Sequence, residues 1–129
     1  MEKTPTSATI LVVEDHAGVR AHVTTVLRGV GYKVIDVSNG PEAIAILGTD
    51  QKVDLLFSDI VMPRGISGVH LARQARKRRP DLKVLLTSGY SEETLAKPSY
   101  SHDEFPLLAK PYRVGDLTVR VRALLSDAV

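Results

Sequence analysis

Apolar residues along this chain follow two rhythms. Short continuous runs such as Ile10 to Val13, Leu55 to Phe57 and Val84 to Leu86 alternate with stretches where apolar positions return every three or four residues. A continuous run reads as a strand covered on both faces, and the longer spacing as a helix with one buried stripe. The chain thus predicts a first strand at Thr9 to Val13. A helix follows with its stripe at Val19, Val23, Val26, Leu27 and Val30, and Gly31 sits where a left-handed cap belongs. Tyr32 to Val37 is a β-branched second strand, and Asn39-Gly40-Pro41-Glu42 opens a short second helix closed by Gly48. The third strand spans Val53 to Ser58, breakers fill Met62 to Gly68, and a third helix runs from Ser67 to about Arg79 with a cationic last turn. Strand four is Val84 to Thr87. Pro98 and the aperiodic stretch Tyr100 to Glu104 leave the fourth helix short or absent. Strand five is Leu107 to Lys110, and the final helix buries Leu117, Val121, Leu124 and Leu125. Strand and helix alternating five times predict an α/β fold, (βα)5, with a parallel five-stranded sheet wound on both faces.

Three of the strands end on charge. The first runs into Glu14-Asp15, the third into Asp59 and the fifth into Lys110-Pro111. In an open parallel sheet, ligands sit just outside the carboxyl ends of the strands, so three acids and a lysine would meet in one crevice. Clustered carboxylates repel, which raises a pKa or recruits a cation, and hard oxygen ligands suit Mg²⁺. Glu14, Asp15 and Asp59, with the backbone carbonyl of Val61, make a candidate metal site. Asp59 is a candidate carboxylate nucleophile toward phosphorus, giving an acyl phosphate, with Lys110 stabilising the charge. At the end of strand four, Ser88, or less favourably Thr87, offers a hydroxyl to a phosphoryl oxygen.

Length and charge narrow the field. The chain has 129 residues, enough for one core, with a polar N-terminus over residues 1–8 and a domain over 9–129. Seventeen Lys and Arg against 15 Asp and Glu leave a net charge of +2, too even to imply nucleic acid. The Arg73 to Arg79 cluster reads as a solvated helix end. Without cysteine there is no disulfide, thiol nucleophile or thiolate metal site. No apolar run approaches the roughly 20 residues of a membrane span, and a cytoplasmic location is the expectation. Gly65 and Gly68 read as loop geometry, since no P-loop lysine follows them. The four histidines lack a ligand spacing with the acids, and His16 reads as a surface residue.

Leu11-Val-Val-Glu-Asp15, Leu56-Phe-Ser-Asp59-Ile-Val-Met-Pro63, Leu86-Thr-Ser88-Gly and Lys110-Pro111 together resemble the receiver domain of bacterial two-component response regulators. The resemblance covers about residues 8 to 128. It implies a flavodoxin-like sheet in the order 2-1-3-4-5, an order inherited from the family. It also implies Asp59 as phosphoacceptor, Glu14 and Asp15 as the acid pair for Mg²⁺, Ser88 as switch hydroxyl and Lys110 as phosphate partner. The implied partners are a histidine kinase or histidine phosphotransfer protein as donor and a downstream protein target, with no direct nucleic acid or membrane and a monomer or weak homodimer. Leu107 stands where many receivers carry a switch aromatic. The long loop Pro63 to Gly68 and the irregular stretch Ser91 to Phe105 look like receivers of hybrid histidine kinases. Tyr90 and Val61 flank the expected phosphoryl position, where their bulk would hinder water. Two other classes weigh less. A flavin phosphate would be repelled by Glu14-Asp15, and a phosphatase of the Asp-x-Asp-x-Thr type would not have Ile60-Val61 after its nucleophile.

Overall fold

The computed structural model describes residues 8–61, 66–88 and 105–126. Five strands, β1 Thr9–Val13, β2 Lys33–Val37, β3 Leu55–Asp59, β4 Lys83–Ser88 and β5 Leu107–Ala109, form one parallel sheet in the order β2-β1-β3-β4-β5. Four helices are described: α1 Ala17–Val30, α2 Gly40–Leu47, α3 Gly68–Arg78 and α4 Val114–Ser126. The short or absent helix expected between β4 and β5 falls on residues 89–104, outside the described residues. So does the expected N-terminal stretch, apart from the buried Ala8.

The unbroken apolar character of the strands follows from their two covered faces. Alternate residues point to opposite sides, so Leu11, Leu56, Val84 and Leu86 pack with Ala43, Leu47, Val69, Leu71 and Ala75 from α2 and α3. Ile10, Val12, Leu55, Phe57, Leu85 and Leu108 pack instead with Val23, Leu27, Leu117 and Val121 from α1 and α4. Of the four positions expected on the stripe of α4, Leu117 and Val121 are buried; Leu124 and Leu125 are half-buried at the margin of that cluster.

Local chemistry sets the helix ends. Asn39 accepts from the Glu42 amide at 2.9 Å, and the Glu42 carboxylate accepts from the amide of Ser38, the residue before the cap, at 2.9 Å. Ser67 caps α3 through the His70 amide. Gly31 closes α1 at φ 116°, a conformation that a Cβ penalises. At the start of α1 the cap is neither Asp15 nor Glu14. The imidazole Nδ1 of His16 accepts from the Val19 amide at 3.2 Å, which leaves both carboxylates to other partners.

The arginines ending α3 are not simply solvated. Arg79 donates to the carbonyls of Leu47, Thr49 and Gln51 at 3.2, 2.9 and 2.6 Å, satisfying the orphan end of α2 and the turn after it. Arg76 donates to the Leu82 carbonyl at 2.6 Å and lies 5.5 Å over the Phe105 ring. Lys77 and Arg78 are the exposed members of the cluster.

Gly68 is buried where α3 starts beneath the end of β3. A Cβ there would lie 2.1 Å from the carbonyl oxygen of Asp59, and the Gly68 amide donates to the Ile60 carbonyl at 2.7 Å. Backbone meets backbone, so nothing flexible can yield. Gly68→Ala is therefore expected to cost about 1–3 kcal/mol in urea unfolding, as overpacking does. Gly29, in α1 with nothing within 4 Å of its would-be Cβ, should behave oppositely. Gly29→Ala is expected to stabilise by about 0.5–1 kcal/mol in the same assay.

Candidate functional site

Asp59 is the last residue of β3 and shares the side of Leu55 and Phe57, facing α1 and α4. Glu14 follows β1, where its amide donates to the Val37 carbonyl at 3.1 Å. Lys110 follows β5, its amide held by the Ser88 carbonyl at 2.9 Å. Because β1, β3, β4 and β5 are neighbours in register, these residues converge at the carboxyl edge of the sheet. The ammonium of Lys110 sits 3.0 Å from Asp59 Oδ2 and 3.4 Å from Glu14 Oε1. One ligand atom each from Glu14, Asp15 and Asp59 lies within 4.8 Å of the others.

Burial sets the electrostatics. Glu14 and Asp59 are buried while Asp15 is exposed at the rim. Loss of solvent pushes the Glu14 pKa above its ordinary value; the His16 amide and Lys110 counter this only in part, and Asp59 adds repulsion. For Lys110, burial alone would favour the neutral amine. The bond to Asp59 and the fields of Asp59 and Glu14 outweigh it, so its pKa is raised and the ammonium persists. Tyr112 follows two residues later, its phenol pKa raised mainly by burial. Its ring meets Phe57 edge to face at 6.2 Å and 78°, bracing the turn of Lys110 against the strand of Asp59.

Each carboxylate has a defined half. Oε2 of Glu14 accepts from the His16 amide at 3.0 Å, and Oε1 faces Lys110. Asp59 Oδ2 is held by Lys110, while Oδ1 is enclosed with no hydrogen-bond partner among the described residues. A buried carboxylate oxygen without a donor, among three hard oxygen ligands, is an acceptor that a small divalent cation satisfies. The residues present therefore fit Mg²⁺.

The two hydroxyls at the end of β4 are placed differently. Thr87 donates to the Leu108 carbonyl at 2.6 Å, a buried bond that commits it to the strand beside it. Ser88 is buried at the last position of β4, opposite Ala109 and next to Lys110 in the register. Val61 is half-buried against the α2 and α3 side of the core. Leu107, also half-buried there, lies beside the buried Phe105. The Lys110-Pro111 peptide is cis. Tyr90 and Gly65 lie outside the described residues.

Two site features escaped the sequence reading. His16 was visible only as a neighbour of the acids, yet both its backbone amide and its ring organise the turn they occupy. Arg20 donates from Nη1 to the Glu14 carbonyl at 2.9 Å, with its Nε 3.4 Å from Asp36 at the end of β2. An arginine one turn into a helix, outside every motif, carries no local signal for that contact.

The family model described as response regulator receiver domain matches residues 10–122. The sensor kinase CckA of Brucella abortus is 37% identical over 120 residues, covering 92% of this chain and 13% of that protein. The response regulator receiver protein CpdR of the same organism is 33% identical over 119 residues, 92% of this chain and 98% of its own length. Among solved structures, the response regulator TrrA of Thermotoga maritima in complex with Mg²⁺-BeF aligns with a TM-score of 0.75 at 30% identity, over 91% of this chain and 98% of that one. With nearly its whole length matched, this chain belongs to the family of response regulator receiver domains.

Proposed function

We propose that this chain is the phosphoacceptor of a two-component phosphorelay, with Asp59 taking a phosphoryl group from a phosphohistidine in the presence of Mg²⁺. The single observation that carries this reading is the Lys110 ammonium between the Asp59 and Glu14 carboxylates, at 3.0 and 3.4 Å, beside Asp15. Receiver domains bind Mg²⁺ at an acidic pocket and interact with histidine kinases or phosphotransfer proteins and downstream targets. The TrrA structure, solved with Mg²⁺-BeF, supports carrying that chemistry to Glu14, Asp15, Asp59 and the Val61 carbonyl as the metal-holding set.

An oxygen of Asp59 attacks phosphorus as the bond to the donor imidazole nitrogen breaks, leaving an acyl phosphate. The imidazole nitrogen takes up a proton. No base is required, since the attacking carboxylate is already ionised. The cation supplies charge neutralisation that lets a phosphoryl group approach three acids. Lys110 exchanges its Asp59 contact for the incoming phosphoryl oxygens, and Ser88 donates its hydroxyl to one of them. Phosphorylation and dephosphorylation at its own Asp59 are the only reactions assigned to the chain.

The histidine kinase or phosphotransfer donor, the protein target and the cytoplasmic setting belong to this proposal, as does a domain spanning residues 9–129 that works as a monomer or weak homodimer. No helix among the described residues is long and apolar enough to cross a membrane. The chain spans 13% of CckA, so nothing of that kinase beyond a receiver segment is carried over.

Intact-mass spectrometry after incubation with acetyl phosphate and Mg²⁺ tests the assignment. Wild type should gain one phosphoryl mass and Asp59→Asn none; a gain that persists in the Asn variant overturns Asp59 as acceptor. Omitting Mg²⁺ with a chelator should abolish the gain in wild type. Lys110→Ala should fold but accept phosphate about a hundredfold more slowly, the order lost when one preorganised charge-stabilising donor is removed. A stopped-flow rate equal to wild type would remove Lys110 from the reaction.

A further inference from the structure

Four contacts converge on Glu14 in the turn that it shares with Asp15, and one of them comes from a side chain one turn into α1. The Glu14 amide is held by Val37, and its side chain is held by His16 and Lys110. Its carbonyl accepts from Arg20 Nη1 at 2.9 Å, and the same guanidinium places Nε 3.4 Å from Asp36 Oδ2. Arg20 is 23% exposed in its side chain and Asp36 37%. An ion pair that open contributes little by itself, so its attraction does not explain the arrangement. A planar guanidinium gripped at two edges, however, has its direction set, and it delivers that direction to the Glu14 backbone. Mg²⁺ demands near-ideal octahedral geometry, so a shift of this turn moves Glu14 and Asp15 away from what the ion accepts. Asp36 also balances the arginine's charge, so the turn is fixed without adding net positive charge beside a cation site.

We infer that Arg20, aimed by Asp36, is a positioning residue that holds the Glu14-Asp15 turn in the geometry required for divalent-cation binding. The inference rests on the reading of Glu14, Asp15 and Asp59 as Mg²⁺ ligands. Arg28 provides an internal comparison. It lies on the same helix and donates to the Val34 carbonyl of the same strand at 3.0 Å, but at the end away from the acids. An arginine that merely fastened α1 to β2 would be matched by Arg28 in every respect.

The test is a MgCl₂ titration of the full chain, without phosphodonor, read from amide chemical shifts in ¹H–¹⁵N NMR spectra that also report folding. Arg20→Ala should weaken Mg²⁺ binding about tenfold, the scale on which removing a group that orients metal ligands acts. Arg28→Ala should leave the affinity within twofold of wild type. Asp36→Asn should weaken binding a few-fold alone and add no further loss in the Arg20→Ala background, because Asp36 works through Arg20. Arg20→Lys, which keeps charge but not the two-edged grip, should recover less than half of the loss on a logarithmic scale. An Arg20→Ala affinity equal to wild type overturns the inference, as does an equal loss in Arg28→Ala. Failure of the ligand reading shows elsewhere: wild type itself would then give no saturable shifts, and the inference falls with it. If Arg20→Ala does not fold, Asp36→Asn carries the test alone, and unchanged affinity there overturns the inference.

Discussion

Two carboxylates and one ammonium share the end of a sheet that is otherwise sealed on both faces, and the molecule is arranged around keeping them there. Without Lys110, two carboxylates would face each other at this edge with no counter-charge between them. Retaining all three costs desolvation, which the upward pKa shift of Glu14 records. Lys110 balances the repulsion between Glu14 and Asp59 without removing it. A site left in that state favours further positive charge and, once that arrives, a transferable anion. Function here exploits an electrostatic conflict that a purely structural core would have designed away.

The neighbouring features make sense as ways of holding that conflict still. Phe57 and Tyr112 sit two residues before Asp59 and two after Lys110, so one edge-to-face contact braces both strand ends. Gly68 lets α3 begin against the Asp59 carbonyl, and no residue with a side chain fits that approach. His16 caps α1 and turns its amide to Glu14, a double use that frees Asp15 to face outward. Thr87 gives its hydroxyl proton to the Leu108 carbonyl, which ties the end of β4 to β5 beside the site.

Much of this was legible in the sequence, and the parts that were not share a cause. Strand placement, the Asn39 and Ser67 starts, the Gly31 stop and the charged strand ends depend on periodicity or on residues within one turn of each other. Arg79 to Leu47, Thr49 and Gln51 spans 28 to 32 positions, and Gly68 against Asp59 depends on how a helix seats under a strand. Neither leaves a local pattern. The cationic end of α3 misled for the same reason: charge near a helix C-terminus suits solvent and dipole alike, and only the fold reveals which carbonyls it meets. Convergence of Glu14, Asp59 and Lys110 was readable because parallel strands export their carboxyl ends to one edge, whatever the side chains between them.

The grip of Arg79 has a consequence for how the molecule distributes its rigidity. Helices in this architecture run opposite to the strands, so the clamp between the ends of α2 and α3 lies at the sheet edge remote from the acids. Stiffness is invested at the base and chemistry at the rim. Such a division separates two demands: residues at the rim can change without loosening the clamp, and residues at the base can change without disturbing the acid cluster.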